Sequence, residues 1–129
     1  LDAKRDWGHA ADYVEAMWKI LQQKMSDDFV IATGKQYSVK QFVNFVSKKL
    51  GMKITWQGKG LKEKGIDALT KKIIIECDKN YFRPLDVNTL LGDAKKARKK
   101  LKWKPKINIT QLVDDMVTEE LAVLKNYVE

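Results

Sequence analysis

Apolar side chains recur at steps of three and four along four stretches of the chain, which is the spacing of one face of an α-helix. The first stretch predicts a helix over residues 7–22. The second predicts a helix that begins at the capping box formed by Ser38 and Gln41 and ends at Gly51. Two further helices are predicted downstream, one with Asp93 as its cap and one that begins at Asn108 or Thr110.

Three shorter segments have the pattern of β-strands. Residues 28–34 form an apolar run closed by glycine, and the lack of alternation predicts a buried strand in a parallel sheet. Residues 53–57 alternate, residues 73–76 form another apolar run, and the lysine-rich residues 58–65 predict a loop. The order of elements indicates an α/β or α+β fold. Since a central strand needs hydrogen-bonding neighbours on both sides, we expect something outside this chain to complete the sheet.

The composition excludes several classes of protein. With 129 residues, 44% of them hydrophobic and 33% charged, the chain has the size of one small domain and is not a disordered tail. The single cysteine, Cys77, forms no internal disulfide, and no stretch approaches the roughly 20 apolar residues of a membrane span. We therefore expect a cytoplasmic protein without a membrane partner. Because the chain opens with Leu1 inside a charged phrase, we also expect a fragment or a processed product.

The net charge of +8 favours an anionic partner. Residues 95–106 contain eight basic and no acidic side chains, and one hypothesis is a non-enzymatic basic module that binds nucleic acid. The apolar stripe continues through the helical part of this run, however, and Trp103 is its one aromatic residue. A solvated helix face is therefore the simpler interpretation, and we expect no nucleic-acid partner.

Two arginines lie in phrases suited to phosphate. Arg5 precedes a predicted helix start, where free N–H groups and the helix dipole favour an anion, unless it is simply a surface arginine near a cap. Arg83 shares the loop 81–86 with Asp86. A guanidinium there can bind a diphosphate through two nitrogens, and a carboxylate can accept hydrogen bonds from ribose hydroxyls. The alternative is an ion pair between Arg83 and Asp86.

No complete catalytic or metal centre is evident in the sequence. His9 is the one histidine and has no partner of metal-ligand spacing, so we interpret it as structural. Cys77 follows an apolar run and is interpreted as a core residue. Residues 58–65 lack the lysine and hydroxyl residue that end a Walker motif.

Several long phrases, in order along nearly all of the chain, resemble the C-terminal part of the GDP-mannose 4,6-dehydratases, which are extended short-chain dehydrogenases/reductases. The phrases are Arg-Asp-Trp-Gly-His-Ala-x-Asp-Tyr-Val-x-Ala-Met-Trp at 5–18, Asp-Phe-Val-Ile-Ala-Thr-Gly at 28–34, Tyr-Phe-Arg-Pro at 81–84 and Leu-Leu-Gly-Asp at 90–93, the last followed by Trp-Lys-Pro at 103–105. A different nucleotide-sugar epimerase or reductase of the same superfamily is the neighbouring alternative.

The resemblance implies a two-part organisation. Residues 1–34 would be the last helix and strand of a Rossmann sheet, and residues 35–129 a small α/β substrate-binding domain. In the family, NADP and the catalytic Tyr-x-x-x-Lys lie N-terminal to this segment, and here Tyr37 is followed four residues later by Gln41. The complete enzyme would be a lyase that converts GDP-mannose to GDP-4-keto-6-deoxymannose. This chain alone would bind no NADP and be inactive.

The resemblance also assigns a binding site. Arg5 matches the family arginine that contacts the diphosphate, Arg83 matches the arginine that contacts it from the other side, and Asp86 matches the acid that holds the ribose. Relatives usually have glutamate where Asp86 stands and glycine where Lys102 stands. The partner would be GDP-mannose, with no metal. We further expect a homo-oligomer, because a chain built to pack on an absent part would expose apolar surface.

Overall fold

The structure is a computed structural model that describes residues 1–81, 83 and 87–128. Its α-helices are α1 (Ala10–Leu21), α2 (Val39–Lys49), α3 (Lys95–Lys100) and α4 (Ile109–Val128). Its β-strands are β1 (Lys4–Arg5), β2 (Tyr37–Ser38), β3 (Ile54–Gln57), β4 (Lys64–Asp67) and β5 (Ile73–Glu76). The mixture of helices and strands confirms the α/β fold class.

The strands form two small antiparallel sheets. β1 pairs with β2, and Arg5 lies opposite Tyr37. The second sheet has the order β3-β4-β5, with Trp56 opposite Gly65 and a register shift between Gly65 and Ile66. A Cβ on Gly65 would lie 3.1 Å from atoms of Ile54, Trp56 and Ile75, so glycine lets the side chains of the outer strands close over the middle one.

One buried cluster joins α1, the extended segment 29–32 and α3. Its members are Ala16, Ala32, Ala94, Ala97, Leu101 and Trp103, with Tyr13, Ile20, Phe29 and Ile31 packed against it. The small alanines allow close approach of the backbones. The indole of Trp103, 1% exposed, fills the remaining space and donates to the carbonyl oxygen of Asp12 at 2.8 Å. Packing and this hydrogen bond therefore account for the position of Trp103.

Two predicted helix starts are confirmed with their caps. The Ser38 hydroxyl accepts from the N–H of Gln41, while the Gln41 side chain accepts from the N–H of Ser38, which completes the capping box of α2. Asn108 acts in the same way at α4, since its Oδ1 accepts from the N–H groups of Thr110 and Gln111. Pro105 lies between α3 and α4 and keeps the two helices separate.

The first and third helices are shorter than predicted. α1 begins at Ala10 because His9 caps it. Trp7 lies before the helix and stacks on Phe42, with ring centroids 4.6 Å apart. α3 covers only 95–100, and its N-cap is Ala94 instead of the predicted Asp93, which still accepts a hydrogen bond from the Lys95 N–H at 3.0 Å. Tertiary contacts, rather than the apolar stripe, decide where these helices end.

The prediction of a buried strand at 28–34 is wrong for the described chain. Residues 28–33 are in no strand, and Val30 is 53% exposed. Side chains replace sheet partners, since the Asp6 carboxylate accepts from the N–H groups of Thr33 and Gly34. Within the described residues, this segment lacks a neighbouring strand, which an apolar run cannot supply by itself.

Three strands were not predicted. β4 is short and carries a single aliphatic residue, Ile66, and it begins inside the segment 58–65 that was assigned to a loop. That segment otherwise forms a 3-10 turn at Gly60–Lys62. β1 and β2 have only two residues each, so no periodicity marks them.

Candidate nucleotide-binding cleft

A cleft of about 800 Å³ opens beside the N-terminal segment, the start of α2, the 3-10 turn and the loop that follows β5. This volume lies within the range of small-molecule sites. Val39 and Leu61 contribute apolar surface, while Asp78, Arg83 and Asn88 contribute polar groups. Such a lining suits a ligand that has both a flat apolar part and anionic groups.

Arg83 lines the cleft, as a phosphate-binding residue must. It is exposed, so its guanidinium is accessible to an anion. Tyr81, two residues earlier, also lines the cleft and is 83% exposed. Its backbone is held by a short turn in which the Tyr81 N–H donates to the Asp78 carbonyl at 3.2 Å. The loop therefore presents an aromatic ring and a guanidinium at one opening.

Arg5 occupies a different place from the predicted one. It lies in β1, not at a helix start, and the N-terminus of α1 is capped by His9, whose Nδ1 accepts from the Ala11 N–H at 3.1 Å. Arg5 is not among the residues that line the cleft, although Leu1, Asp2 and Ala3 are. Its Nη1 donates to the carbonyl oxygen of Val87 at 2.7 Å.

The contact between Arg5 and Val87 is part of a longer junction. The Lys4 N–H donates to the Asn88 carbonyl at 2.8 Å, and the Leu90 N–H donates to the Lys4 carbonyl at 3.3 Å, which makes a parallel bridge to Thr89. The fold thus brings the chain after Arg83 back to β1. Asp86, the predicted ribose contact, lies outside the described residues, and so does an ion pair between Asp86 and Arg83.

Several cleft residues were missed by reasoning from the sequence. Asn88 and Asp78 lie in irregular segments that no motif marks, and Leu61 belongs to the segment assigned to a solvated loop. The sequence feature that could have indicated this wall of the cleft was the pair Gly58 and Gly60, which is typical of a tight turn. Their φ values of +83° and +59° lie in the left-handed region and build the tight turn that carries Leu61 into the wall.

The interpretation of Cys77 as a core residue is wrong. Cys77 is half-buried and lines the cleft, with its Sγ 3.8 Å from the Gly60 carbonyl oxygen. It follows β5, and strand alternation ends there, so its side chain faces the cleft instead of the sheet interior. His9, by contrast, is structural as predicted: it caps α1 and its Nε2 lies 3.6 Å from a carboxylate oxygen of Asp115.

Most of the displaced pKa values trace to contacts that hold the fold together. The Lys106 ammonium, followed by that of Lys19, lowers the pKa of Glu15. Hydrogen bonds from Lys100 and Lys96 hold the pKa of Asp27 well below its ordinary range. Burial, reinforced by nearby carboxylates, raises the pKa of the Tyr13 phenol. Within residues 1–81, 83 and 87–128, no three His, Cys, Asp or Glu side chains are grouped to hold a metal ion.

Most cations of the basic run 95–106 form ion pairs or hydrogen bonds with other residues of this chain. Five of its eight cations have partners there: Lys95 with Asp93, Lys96 and Lys100 with Asp27, Arg98 with the Thr33 carbonyl, and Lys106 with Glu15. The run thus joins α3 and its flanks to the segment 27–33 and to α1. These contacts favour a structural role over a surface dedicated to nucleic acid. In the described part of the chain, no helix is both long and apolar enough to cross a bilayer.

The architecture matches that of a solved NADPH complex, the RMD of Pseudomonas aeruginosa. The TM-score is 0.65 at 14% identity, and the match covers 91% of this chain and 32% of that one. At this identity the likeness speaks for the fold alone. The chain therefore shares the fold of about a third of that structure.

The sequence comparisons then define the family. A family model described as GDP-mannose 4,6 dehydratase matches residues 1–116. The chain is 44% identical to a GDP-mannose 4,6-dehydratase of Vibrio cholerae, with 98% of this chain and 37% of the relative covered. It is 46% identical to the Drosophila melanogaster and the human enzymes, with 97% of this chain covered and 32% and 34% of those relatives. The chain therefore belongs to the GDP-mannose 4,6-dehydratase family, as the resemblance predicted, and spans about a third of the length of these relatives.

Proposed function

We propose that this chain is the nucleotide-sugar-binding part of an NADP-dependent GDP-mannose 4,6-dehydratase, a lyase that forms GDP-4-keto-6-deoxymannose. The observation that carries the proposal is the position of Arg83 in a cleft of about 800 Å³, in a chain that matches this family along most of its length. NADP binding and hydride transfer belong to the rest of the enzyme, because the chain contains no Tyr-x-x-x-Lys motif.

The cleft chemistry suits a nucleoside diphosphate sugar. Arg83 supplies a planar guanidinium that pairs with two phosphate oxygens, and we assign Arg5 to the same diphosphate from the β1 side. The family match supports the assignment of Arg5, whose Nη1 in this structure donates to the Val87 carbonyl outside the cleft lining. Asp86 is assigned to the ribose hydroxyls.

Titration of GDP tests the proposal. Removal of a charge-assisted hydrogen bond costs about 1.5–3 kcal/mol, so Arg83→Ala is expected to weaken GDP binding by roughly 10- to 150-fold in calorimetry. Lys79→Ala is the matched control, because it removes one positive charge from the same loop and Lys79 is not among the cleft-lining residues. Equal dissociation constants for the parent chain and Arg83→Ala would contradict the proposal, and so would an equal loss in Lys79→Ala.

We also propose that residues 1–34 belong to the Rossmann part of the enzyme and residues 35–129 to the substrate domain, and that the protein is a cytoplasmic homo-oligomer. The support is the outer face of α1, where Val14, Met17, Trp18 and Leu21 are 59–80% exposed. Apolar residues clustered on one helix face mark a surface that another protein part covers. Sedimentation of the chain checks the oligomer, and a monomer at all concentrations would contradict it.

A further inference from the structure

An ion pair with one buried partner joins the first turn of α2 to the residue that ends the 3-10 turn. The Glu63 carboxylate is 5% exposed and receives the ammonium of Lys40, which comes from the first turn of α2. The same ammonium lies 5.1 Å from the ring centroid of Trp56, whose indole N–H donates to Asn44 at 3.0 Å. The Trp56 ring, itself held in place, thus covers one side of the Lys40 ammonium, whose side chain stays 28% exposed.

Lys40 connects two walls of the cleft. Its backbone N–H donates to the Leu1 carbonyl at 3.0 Å, and the N–H of Val39 donates to the Ala3 carbonyl at 3.2 Å. These bonds fix the N-terminal segment that lines one side. Through its side chain, Lys40 holds Glu63, the residue that ends the turn carrying Leu61 into the wall.

The turn connects β3 to β4, whose ends Gln57 and Lys64 pair with each other. The Glu63 N–H donates to the Gly60 carbonyl at 3.1 Å, and Gly58 and Gly60 have positive φ values. Such glycine-rich backbone is conformationally permissive, so its position depends on what anchors its ends. Such an ion pair contributes little net stability compared with apolar side chains of the same volume, but removal of one partner leaves a buried charge, here that of Glu63, without its counter-charge.

We propose that Lys40 and Glu63 are positioning residues for the nucleotide cleft: their ion pair locks the Gly60–Lys62 turn against the start of α2 and so sets the distance between the two walls that Leu61 and the segment 1–3 form. This proposal rests on the proposed function, because it concerns the same cleft. Neither residue lines the cleft, so each acts through the wall and not by contact with the nucleotide.

The test compares GDP affinity across variants of the pair. Glu63→Gln keeps the side-chain shape but removes the charge, and misplacement of the wall is expected to weaken GDP binding about tenfold. Lys40→Met should do the same, and the double variant should be no weaker than the worse single one, because one interaction is lost in each case. Lys40→Arg, which keeps the cation, should bind GDP with an affinity within about twofold of that of the parent chain.

Asp114→Asn is the matched control. It breaks the ion pair between Asp114 and Lys49, 3.0 Å apart, at the opposite end of α2. Circular dichroism of each variant separates a local change from unfolding. Unchanged GDP affinity in folded Glu63→Gln and Lys40→Met, or an equal loss in Asp114→Asn, would overturn the proposal.

The single cysteine provides a second readout that needs no nucleotide. Cys77 Sγ lies 3.8 Å from the Gly60 carbonyl, so release of the turn should uncover the thiol. Its reaction with a disulfide reagent is expected to be several-fold faster in Glu63→Gln than in the parent chain or in Asp114→Asn. An unchanged rate would contradict the positioning role. If the parent chain failed to bind GDP while the rates still differed, the proposed function would fall and the anchoring of the turn would stand.

Discussion

The part of the molecule built on α1 and α3 and the part built on α2 and the three-stranded sheet are packed in different ways. In the first part, alanines and Trp103 leave little room: a Cβ on Gly92 would lie 2.3 Å from the Cβ of Ala32. In the second part, Phe42, Val46 and Ile75 border an apolar cavity of about 250 Å³, and the larger cleft lies at the edge.

The difference shows how the fold divides its tasks. Carboxylates pin the backbone of the first part, where Asp12, 3% exposed, accepts from the N–H groups of Lys106 and Ile107, both at 3.0 Å. The second part keeps space and glycine-rich turns beside the candidate ligand. The closely packed part therefore carries the exposed face of α1, whereas the glycine-rich turns lie beside the candidate nucleotide-binding cleft.

The largest effect is expected from Trp103→Ala. Loss of a fully buried indole and its hydrogen bond to the Asp12 carbonyl should lower the free energy of unfolding by about 3–5 kcal/mol in urea titrations. Tyr127→Ala is the control, since Tyr127 near the end of α4 is 83% exposed and should change stability by no more than about 0.5 kcal/mol. A similar loss at both positions would show that the first part is not the more tightly packed one.

A moderate gain is expected from Lys102→Gly. Lys102 follows the end of α3 with a φ of +51°, in the left-handed region where a side chain costs about 1–2 kcal/mol, and the flexibility of glycine in the unfolded chain offsets part of the gain. The variant should be more stable by about 0.5–1 kcal/mol. Lys71→Gly makes the same change between β4 and β5, where φ is +60°. If the two variants gain unequal stability, the turns of the two parts differ in rigidity. A loss of stability in Lys102→Gly would contradict the prediction.

The smallest effect concerns pH. Because lysine contacts hold the pKa of Asp27 below its ordinary value of 3.8, this carboxylate stabilises the fold above pH 3.8 and loses that contribution as the pH falls through the lower folded-state pKa. Asp27→Asn should therefore be less stable than the parent chain at pH 7, with the difference shrinking in unfolding curves below pH 3.8. A stability difference between Asp27→Asn and the parent chain that stays constant down to pH 2.5, about one unit below the ordinary pKa of 3.8, would contradict this.

Salt sharpens the same comparison. In the second part, hydrogen bonds from the Thr70 hydroxyl and the Leu69 N–H, both neutral groups, are the main causes that lower the pKa of Asp67. High salt screens ion pairs more than neutral hydrogen bonds. The stability difference produced by Asp27→Asn should thus decrease in about 1 M salt, where the screening length is near 3 Å, while that of Asp67→Asn should persist.

Prediction from the sequence worked where local signals were sufficient. The capping box at Ser38, the strands near residues 54 and 73, and the start of α4 depend on neighbours within a few positions. Arg83 was assigned to a binding loop from its own phrase; it lines the cleft, and its contact with phosphate stays a prediction. The family followed from long exact phrases, which are specific whatever the structure.

Prediction failed where distant residues decide the outcome. The segment 28–34 has the composition of a buried strand, but pairing needs neighbours that the described chain does not provide. The first helix begins three residues later than its apolar stripe, at Ala10, while Trp7 stacks on Phe42, 35 positions away in the chain. Asp12, an ordinary charge in the sequence, is buried because it holds the backbone at residues 106 and 107.

By itself, then, the order of residues determined that helices form in these regions, the caps at Ser38 and Asn108 and the membership of a family, because each depends on adjacent side chains or on the phrases themselves. Only the tertiary structure decided which walls form the cleft, since Leu1, Leu61 and Arg83 meet there from three separate segments. It alone brought Glu63 under Lys40, 23 positions away, and Asp12 under residues 106 and 107. The physical reason is that burial and hydrogen bonding act between neighbours in space, which the linear sequence does not specify.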